Sequence, residues 1–185
     1  MNKRIYLVRH AKAQGQPFES PLTELGNRQA EKLVQFFASR SVDRIISSPF
    51  IRAINTIKPL SLERGIQVEI DERLSERVLS SAMFENWQEL LKASFLDMES
   101  KLEGGESNRS GLNRIQSLLD EILVSQDESI ILVSHGNLST LLLHHFDKRY
   151  GFDELMKMTN PDIFEISISG DSAEIIRIWR ESAET

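Results

Sequence analysis

The chain has 185 residues, 40% hydrophobic and 27% charged, values that fit one water-soluble globular domain with a sizeable core. Its net charge of −6 argues against a general binder of nucleic acid or anionic membrane, both of which require an extended basic surface. The lack of cysteine excludes disulfides, thiolate metal sites and cysteine nucleophiles.

The opening MNKRIYLVRH has too short an apolar run for a secretory leader, and no run approaches the ~20 residues of a membrane helix, so the expected location is cytoplasmic. Lys3 to Val8 reads as a strand. Thr23 to Arg40 reads as a helix, with Thr23 as its cap and Leu25, Ala30, Leu33, Val34 and Phe37 as its apolar stripe. DRIIS, residues 43–47, is a short strand. Pro49 to Arg64 is the next helix, kinked at Pro59 and ended by Gly65. Ile66 to Ile70 alternates as a strand does. Phe84 to Met98 and Gly111 to Val124 have helical spacing, SIILVS (129–134) is a buried strand, and Leu138 to Phe146 is an apolar helix. Ile163 to Ser169 and Glu174 to Trp179 are strands joined by Gly170-Asp171, a hairpin turn.

This alternation predicts an α/β fold: a three-layer α/β/α sandwich around a mostly parallel central sheet, closed by a C-terminal hairpin. There is no internal repeat. Residues 1–185 read as a single domain, with 78–110 an insertion or lid over the site.

Ligands of open α/β sheets bind at the carboxyl ends of the strands. Four loops bring candidates there. Arg9-His10 ends the first strand, Arg52 follows DRIIS, Leu74-Ser75-Glu76 follows the strand carrying Ile70, and His135-Gly136-Asn137 ends SIILVS and opens a helix. Two arginines, two histidines and a carboxylate suit phosphoryl transfer. Arginine offers phosphate a planar fork of donors and keeps its charge. The helix start at Gly136 and Asn137 offers free N–H groups and the positive end of a dipole. A neutral His10 can attack phosphorus, and Glu76 can protonate the leaving alkoxide and then activate water.

The residues around these positions carry a resemblance. RHA (9–11), LTELGNRQA (22–30), SSPFIRAINT (47–56), LSE (74–76), GES (105–107) and SHG (134–136) stand in one order across nearly the whole chain. In this it resembles the histidine phosphatase superfamily, the phosphoglycerate mutase-like group. The resemblance implies that His10 is the phosphorylated nucleophile, that Arg9, Arg52 and His135 form the phosphate pocket, that Glu76 is the proton donor, and that neither metal nor cofactor is used. Ala11 replaces the family glycine, and Lys12 and Ala13 replace polar residues that help bind phosphate. Lys12 and Thr23 are candidate substrate contacts. The RHAKA form is similar to the short phosphohistidine phosphatases, which typically lack the LSE and GES segments present here.

Plainer readings stand beside these. Thr23 is a helix cap whatever the function. Glu76 has Glu72 and Glu85 near it in a charged stretch, GES can simply initiate a helix, and Phe84, Trp87 and Phe95 can be core. His144 and His145 match no motif and read as structural or surface groups. The absence of HExxH, HxH and clustered carboxylates speaks against a metal site, and GxSxG, Walker A and GxGxxG runs are missing. The reading is a phosphatase for a small phosphorylated metabolite, acting as a monomer or homodimer without nucleic acid or membrane partners. Its rivals are a phosphoglycerate mutase-type isomerase, a protein phosphohistidine phosphatase and a non-catalytic phospho-ligand binding module. Residues 78–104 hold just Lys92 and Lys101 as basic groups, which favours hydrolysis over a mutase that must hold a second phosphate.

Overall fold

The structure is a computed structural model that describes residues 2–180. Its elements run β1 (Asn2–Arg9), α1 (Glu24–Phe37), β2 (Arg44–Ser47), α2 (Ile51–Arg64), β3 (Val68–Ile70), a 3-10 turn (Glu72–Leu74), α3 (Trp87–Ser94), α4 (Asn108–Val124), β4 (Ser129–Ser134), α5 (Gly136–Phe146), α6 (Phe152–Lys157), β5 (Asp162–Ser169) and β6 (Ser172–Arg177). They form two compact units: residues 2–75, 126–135 and 159–180 in the first, and 76–125 and 136–158 in the second.

The first unit holds the sheet, in the order β3-β2-β4-β1-β5-β6. The pairs β1–β4, β2–β4 and β2–β3 are parallel, and β5 and β6 add an antiparallel edge. This is the expected α/β class with its mostly parallel sheet and terminal hairpin. The hairpin turn is Gly170-Asp171, with Gly170 at φ 58°, a left-handed value that glycine adopts without a Cβ clash. The order puts β4 between β1 and β2. SIILVS is buried at every position, as the innermost parallel strand of a covered sheet must be. One sheet face packs Tyr6, Val8, Ile45, Ile131 and Val133 against Leu33 and Phe37 of α1 and Ala53, Ile57 and Leu60 of α2. Phe37 meets Tyr6 edge-on at 5.2 Å between ring centroids, a favoured aromatic geometry.

In the second unit, α4 packs on α5 and α5 on α6. Ser107 caps α4, its hydroxyl accepting from the Ser110 N–H at 3.1 Å. Glu106 forks Arg114 at 2.8 and 2.9 Å, and buried Arg77 donates to the Glu106 carbonyl at 2.9 Å. GES therefore starts a helix and ties the chain before it, the plainer of its two readings.

Several boundaries differ from expectation. The expected helix 84–98 is shorter, because α3 spans Trp87–Ser94, while α4 and α5 start earlier, at Asn108 and Gly136. Helix α2 ends at Arg64 with Pro59 inside it and Gly65 after it, as expected. Helix α6 was not expected. Its signal is Glu154, whose carboxylate accepts from the Gly151 N–H at 3.0 Å and so satisfies an orphan donor at the helix start. Trp179 lies beyond β6 and packs its ring on Phe36 at 5.5 Å.

Candidate active site

The sheet order decides which loops meet. β1 and β4 run parallel as neighbours, so Arg9 pairs with Ser134 and the next residues, His10 and His135, emerge side by side. The ladder continues one step past the strands: the His10 N–H donates to the Ser134 carbonyl at 3.0 Å, and the Ser48 N–H to the Val133 carbonyl at 2.9 Å. The two histidine rings stand 5.2 Å apart. Both are nearly excluded from water, His10 at 7% exposure and His135 at 1%.

Hydrogen bonds fix the protonation of His10. Its Nδ1 lies 2.7 Å from the Ala11 carbonyl, which can only accept, so Nδ1 carries the proton. Its Nε2 lies 3.2 Å from Arg52 Nε, which can only donate, so Nε2 carries the lone pair. Burial lowers the pKa of His10 from 6.5 to about 4; the Ala11 bond opposes this, and the charges of Arg52 and Arg9 add to it. At neutral pH the ring is uncharged with a lone pair on Nε2, the form a nucleophile requires.

Arg52 is buried, and its NH1 donates to the carbonyls of Gln16 and Pro17 at 2.8 and 2.9 Å. It thus braces the 14–18 loop as well as facing His10. Its guanidinium lies 4.8 Å from the centre of the Phe50 ring. Phe50 stands edge-on to His135 at 4.7 Å. Ser48 Oγ and His135 Nε2 share a hydrogen bond of 2.8 Å. The first unit therefore brings together Arg9, His10, Arg52 and His135.

Lys12 is exposed, and its main chain is held by its surroundings. Its N–H donates to Gln29 Oε1 at 3.0 Å, and its carbonyl accepts from the Thr23 N–H at 2.9 Å and hydroxyl at 3.2 Å. The Thr23 hydroxyl also accepts from the Gly26 N–H at 3.0 Å, capping α1. Thr23, a candidate substrate contact, uses its hydroxyl to cap a helix and hold Lys12. A Cβ on Gly26 would come within 2.0 Å of the Lys12 carbonyl oxygen, so that position admits glycine alone. Ala11, standing where the family has glycine, is fully buried, and its methyl group packs with Leu22 and Ala30.

Glu76, Gly136 and Asn137 belong to the second unit. The Glu76 carboxylate accepts from the Asn137 N–H at 3.1 Å and the Leu138 N–H at 2.9 Å, and from the Arg77 N–H at 2.8 Å. This corrects one expectation. The Asn137 N–H is not free for phosphate, because a carboxylate already occupies the positive end of α5. The Asn137 side-chain oxygen is buried and has no hydrogen-bond partner among the described residues. In the first unit, the Ser134 hydroxyl donates to the Leu74 carbonyl at 2.7 Å, which fixes the chain just before Ser75 and Glu76.

Four contributors escaped the sequence reading. Ser48, Phe50 and Thr56 lay inside SSPFIRAINT, so the motif carried their signal. Asn160 lay outside every motif considered, yet its side-chain amide donates to the His10 carbonyl at 2.9 Å.

The model of the histidine phosphatase superfamily (branch 1) matches residues 5–180. The chain belongs to that superfamily. A Hydrogenobacter thermophilus protein that carries a phosphoserine phosphatase name is 31% identical over 94% of each chain. A glucosyl-3-phosphoglycerate phosphatase of Mycobacterium tuberculosis is 28% identical over 76% of this chain and 73% of its own. A Proteus mirabilis protein with a phosphoglycerate mutase name is 32% identical over 72% of this chain and 69% of its own. Among solved structures, mycobacterial hydrolase 1 has a TM-score of 0.80 at 23% identity, covering 99% of this chain and 100% of its own. A native structure of mycobacterial glucosyl-3-phosphoglycerate phosphatase has a TM-score of 0.77 at 23% identity, covering 98% and 100%. These structures show that the chain has the fold of this histidine phosphatase group.

No helix among the described residues is long and apolar enough to cross a membrane. No group of three or more His, Asp or Glu among them is placed to hold a metal ion.

Proposed function

We propose that the chain is a phosphatase that hydrolyses a small phosphomonoester through a phosphohistidine on His10. The observation that carries this reading is the state of the His10 ring: buried, neutral, protonated on Nδ1, with the Nε2 lone pair facing an arginine.

Arg52 first exchanges its bond to Nε2 for a phosphate oxygen, and Arg9 and His135 add positive or donor groups around the phosphoryl group. The Nε2 lone pair forms the N–P bond as the ester P–O bond breaks. The leaving alkoxide takes a proton from the Glu76 carboxyl. Glu76 Oε1 accepts from two main-chain N–H groups, those of Arg77 and Leu138, whereas Oε2 accepts from the Asn137 N–H and keeps a lone pair for that proton. In the second step the Glu76 carboxylate removes a proton from water, the oxygen attacks phosphorus, and the N–P bond returns its electrons to Nε2. Phosphate leaves and the starting state is restored. Gly136 and the side chain of Asn137, whose N–H Glu76 holds, have the remaining phosphate contacts in this reading, with Lys12 at the mouth.

The relatives' names favour a small phosphorylated metabolite. The segment 78–110 is the insertion that shapes the non-phosphate end of that substrate within one functional domain. Its exposed Met83, Phe84, Trp87 and Leu96 support that role, since a fixed core would bury them. A mutase is the second reading, favoured by the names of several relatives. The low number of basic residues in 78–104 stands against it.

The test is hydrolysis of an aryl phosphate in EDTA by the native chain and by His10→Ala. Activity that survives EDTA and disappears in the variant supports the reading. Isomerisation of phosphoglycerate with a diphosphorylated primer, without net phosphate release, transfers it to the mutase.

A further inference from the structure

We propose that Asn160 is a positioning residue for the nucleophile: its side-chain amide fixes the His10 carbonyl and thereby holds the ring with Nδ1 protonated and Nε2 ready to attack. The inference rests on reading His10 as the nucleophile.

The peptide that follows His10 is pinned at both ends. Asn160 Nδ2 donates to the His10 carbonyl at 2.9 Å. The Ala11 N–H donates to Thr56 Oγ1 at 2.8 Å, and that hydroxyl donates in turn to the Arg52 carbonyl at 2.7 Å. With the His10 N–H on the Ser134 carbonyl, every main-chain polar group from His10 N to Ala11 N has a partner distant in sequence. The next carbonyl, that of Ala11, takes the ring proton of Nδ1 at 2.7 Å. The ring is therefore oriented by an oxygen whose place depends on the pinned peptide. If that peptide rotates, the Ala11 carbonyl moves away, the Nδ1–H loses its acceptor, and the two neutral tautomers approach equal energy. One of them protonates Nε2 and cannot attack.

Asn160 can act this way because its own turn is rigid. Asp162 opens β5 opposite Arg9, fully buried, and is forked by Arg177 at 3.0 and 2.6 Å. Its carboxylate also accepts from the Thr159 and Ile163 N–H groups, each at 3.0 Å. The Thr159 hydroxyl donates to the Pro161 carbonyl at 2.7 Å. These bonds clamp both sides of Asn160, so its amide keeps its aim without help from substrate. An ordinary loop amide bonded to a carbonyl needs no such support, and here the carbonyl belongs to the nucleophile itself.

The experiment compares Asn160→Ala and Asn160→Asp with the native chain. Aspartate keeps the shape and loses the N–H donor. Five quantities are read on the pH plateau: kcat and KM for an aryl phosphate, Kd for inorganic phosphate, Tm, and the 15N shifts of the His10 ring. Misplacing a reacting group by about 1 Å costs on the order of a hundredfold, so kcat should fall roughly ten- to hundredfold in both variants. KM, Kd and Tm should stay close to native. The native ring should show a single Nδ1–H tautomer, and the variants a mixture. Unchanged kcat in Asn160→Ala, full activity in Asn160→Asp, or a native tautomer in both would overturn the proposal. If alanine prevents folding, the aspartate variant alone decides it. The tautomer signal needs no turnover. A native chain without hydrolysis that still loses its Nδ1–H signal in the variants would sink the nucleophile reading and leave the positioning intact.

Discussion

Arg52 donates its Nε–H to Nε2 of His10 at 3.2 Å, so the atom proposed to attack phosphorus is covered by the arginine proposed to bind the phosphate. Burial keeps His10 unprotonated, and the charge of Arg52 adds to this, since a second proton on the ring would point at a fixed positive charge. In the proposed mechanism substrate binding does two things in one movement: it draws the guanidinium to the phosphate and uncovers the lone pair. Arg52→Lys keeps a charge but loses the fork, and its ammonium cannot reach His10 and phosphate in the same geometry. We expect kcat/KM to fall by roughly a hundred- to thousandfold, with phosphate affinity falling too. Steady-state kinetics and phosphate titration check this; a change below tenfold would assign Arg52 to bracing the 14–18 loop alone.

The acid limb of kcat/KM should report His10 in the free enzyme. With a pKa of about 4, activity should hold as pH falls through 6.5 and drop only near 4. A nucleophile limb centred near 6.5 would mean that His10 is neither buried nor opposed by its two arginines.

The same shift makes a stability prediction. The folded pKa lies below the unfolded one, so between pH 6.5 and 4 the unfolded chain binds the extra proton and the folded chain does not. Stability therefore rises with pH across that window. His10 contributes a loss of roughly 3 kcal/mol on going from neutral pH to 4, at about 1.4 kcal/mol per unit. Urea unfolding of the native chain and His10→Gln at both pH values measures it. The variant should lose less stability than the native chain over the same interval; equal losses would contradict the shift.

Glu76 caps α5, and the proton transfer proposed for it can be separated from that contact. Glu76→Gln keeps a cap on α5 through its one carbonyl oxygen but cannot release or take the catalytic proton. We expect a stability loss of about 1 kcal/mol. The rate should fall by roughly a hundredfold or more on an alkyl phosphate, whose leaving group needs the proton, and far less on an aryl phosphate. Equal loss on both substrates would show that Glu76 acts by capping the helix rather than by donating a proton.

The sequence showed the fold through its pattern: short apolar runs became β1, β2 and β4, and the Gly170-Asp171 turn became the hairpin. It showed the candidate site where apolar strands ended on Arg9-His10 and on His135. What it hid were contacts that local patterns do not encode. Helix α6 is short and held by Glu154 more than by an apolar stripe. The engaged Asn137 N–H could not be foreseen, because Glu76 reaches it from 61 residues away. Asn160 was hidden for the same reason, since a lone amide before a proline reads as a turn. It meets His10 only because β5 runs antiparallel beside β1.

The most direct test of the whole account is rapid quenching of the enzyme with a phosphomonoester in EDTA, followed by mapping of the acid-labile phosphoryl group. The account predicts one phosphoryl group on His10, formed before product release and absent from His10→Ala. A label on another residue, or steady hydrolysis by His10→Ala, would contradict it.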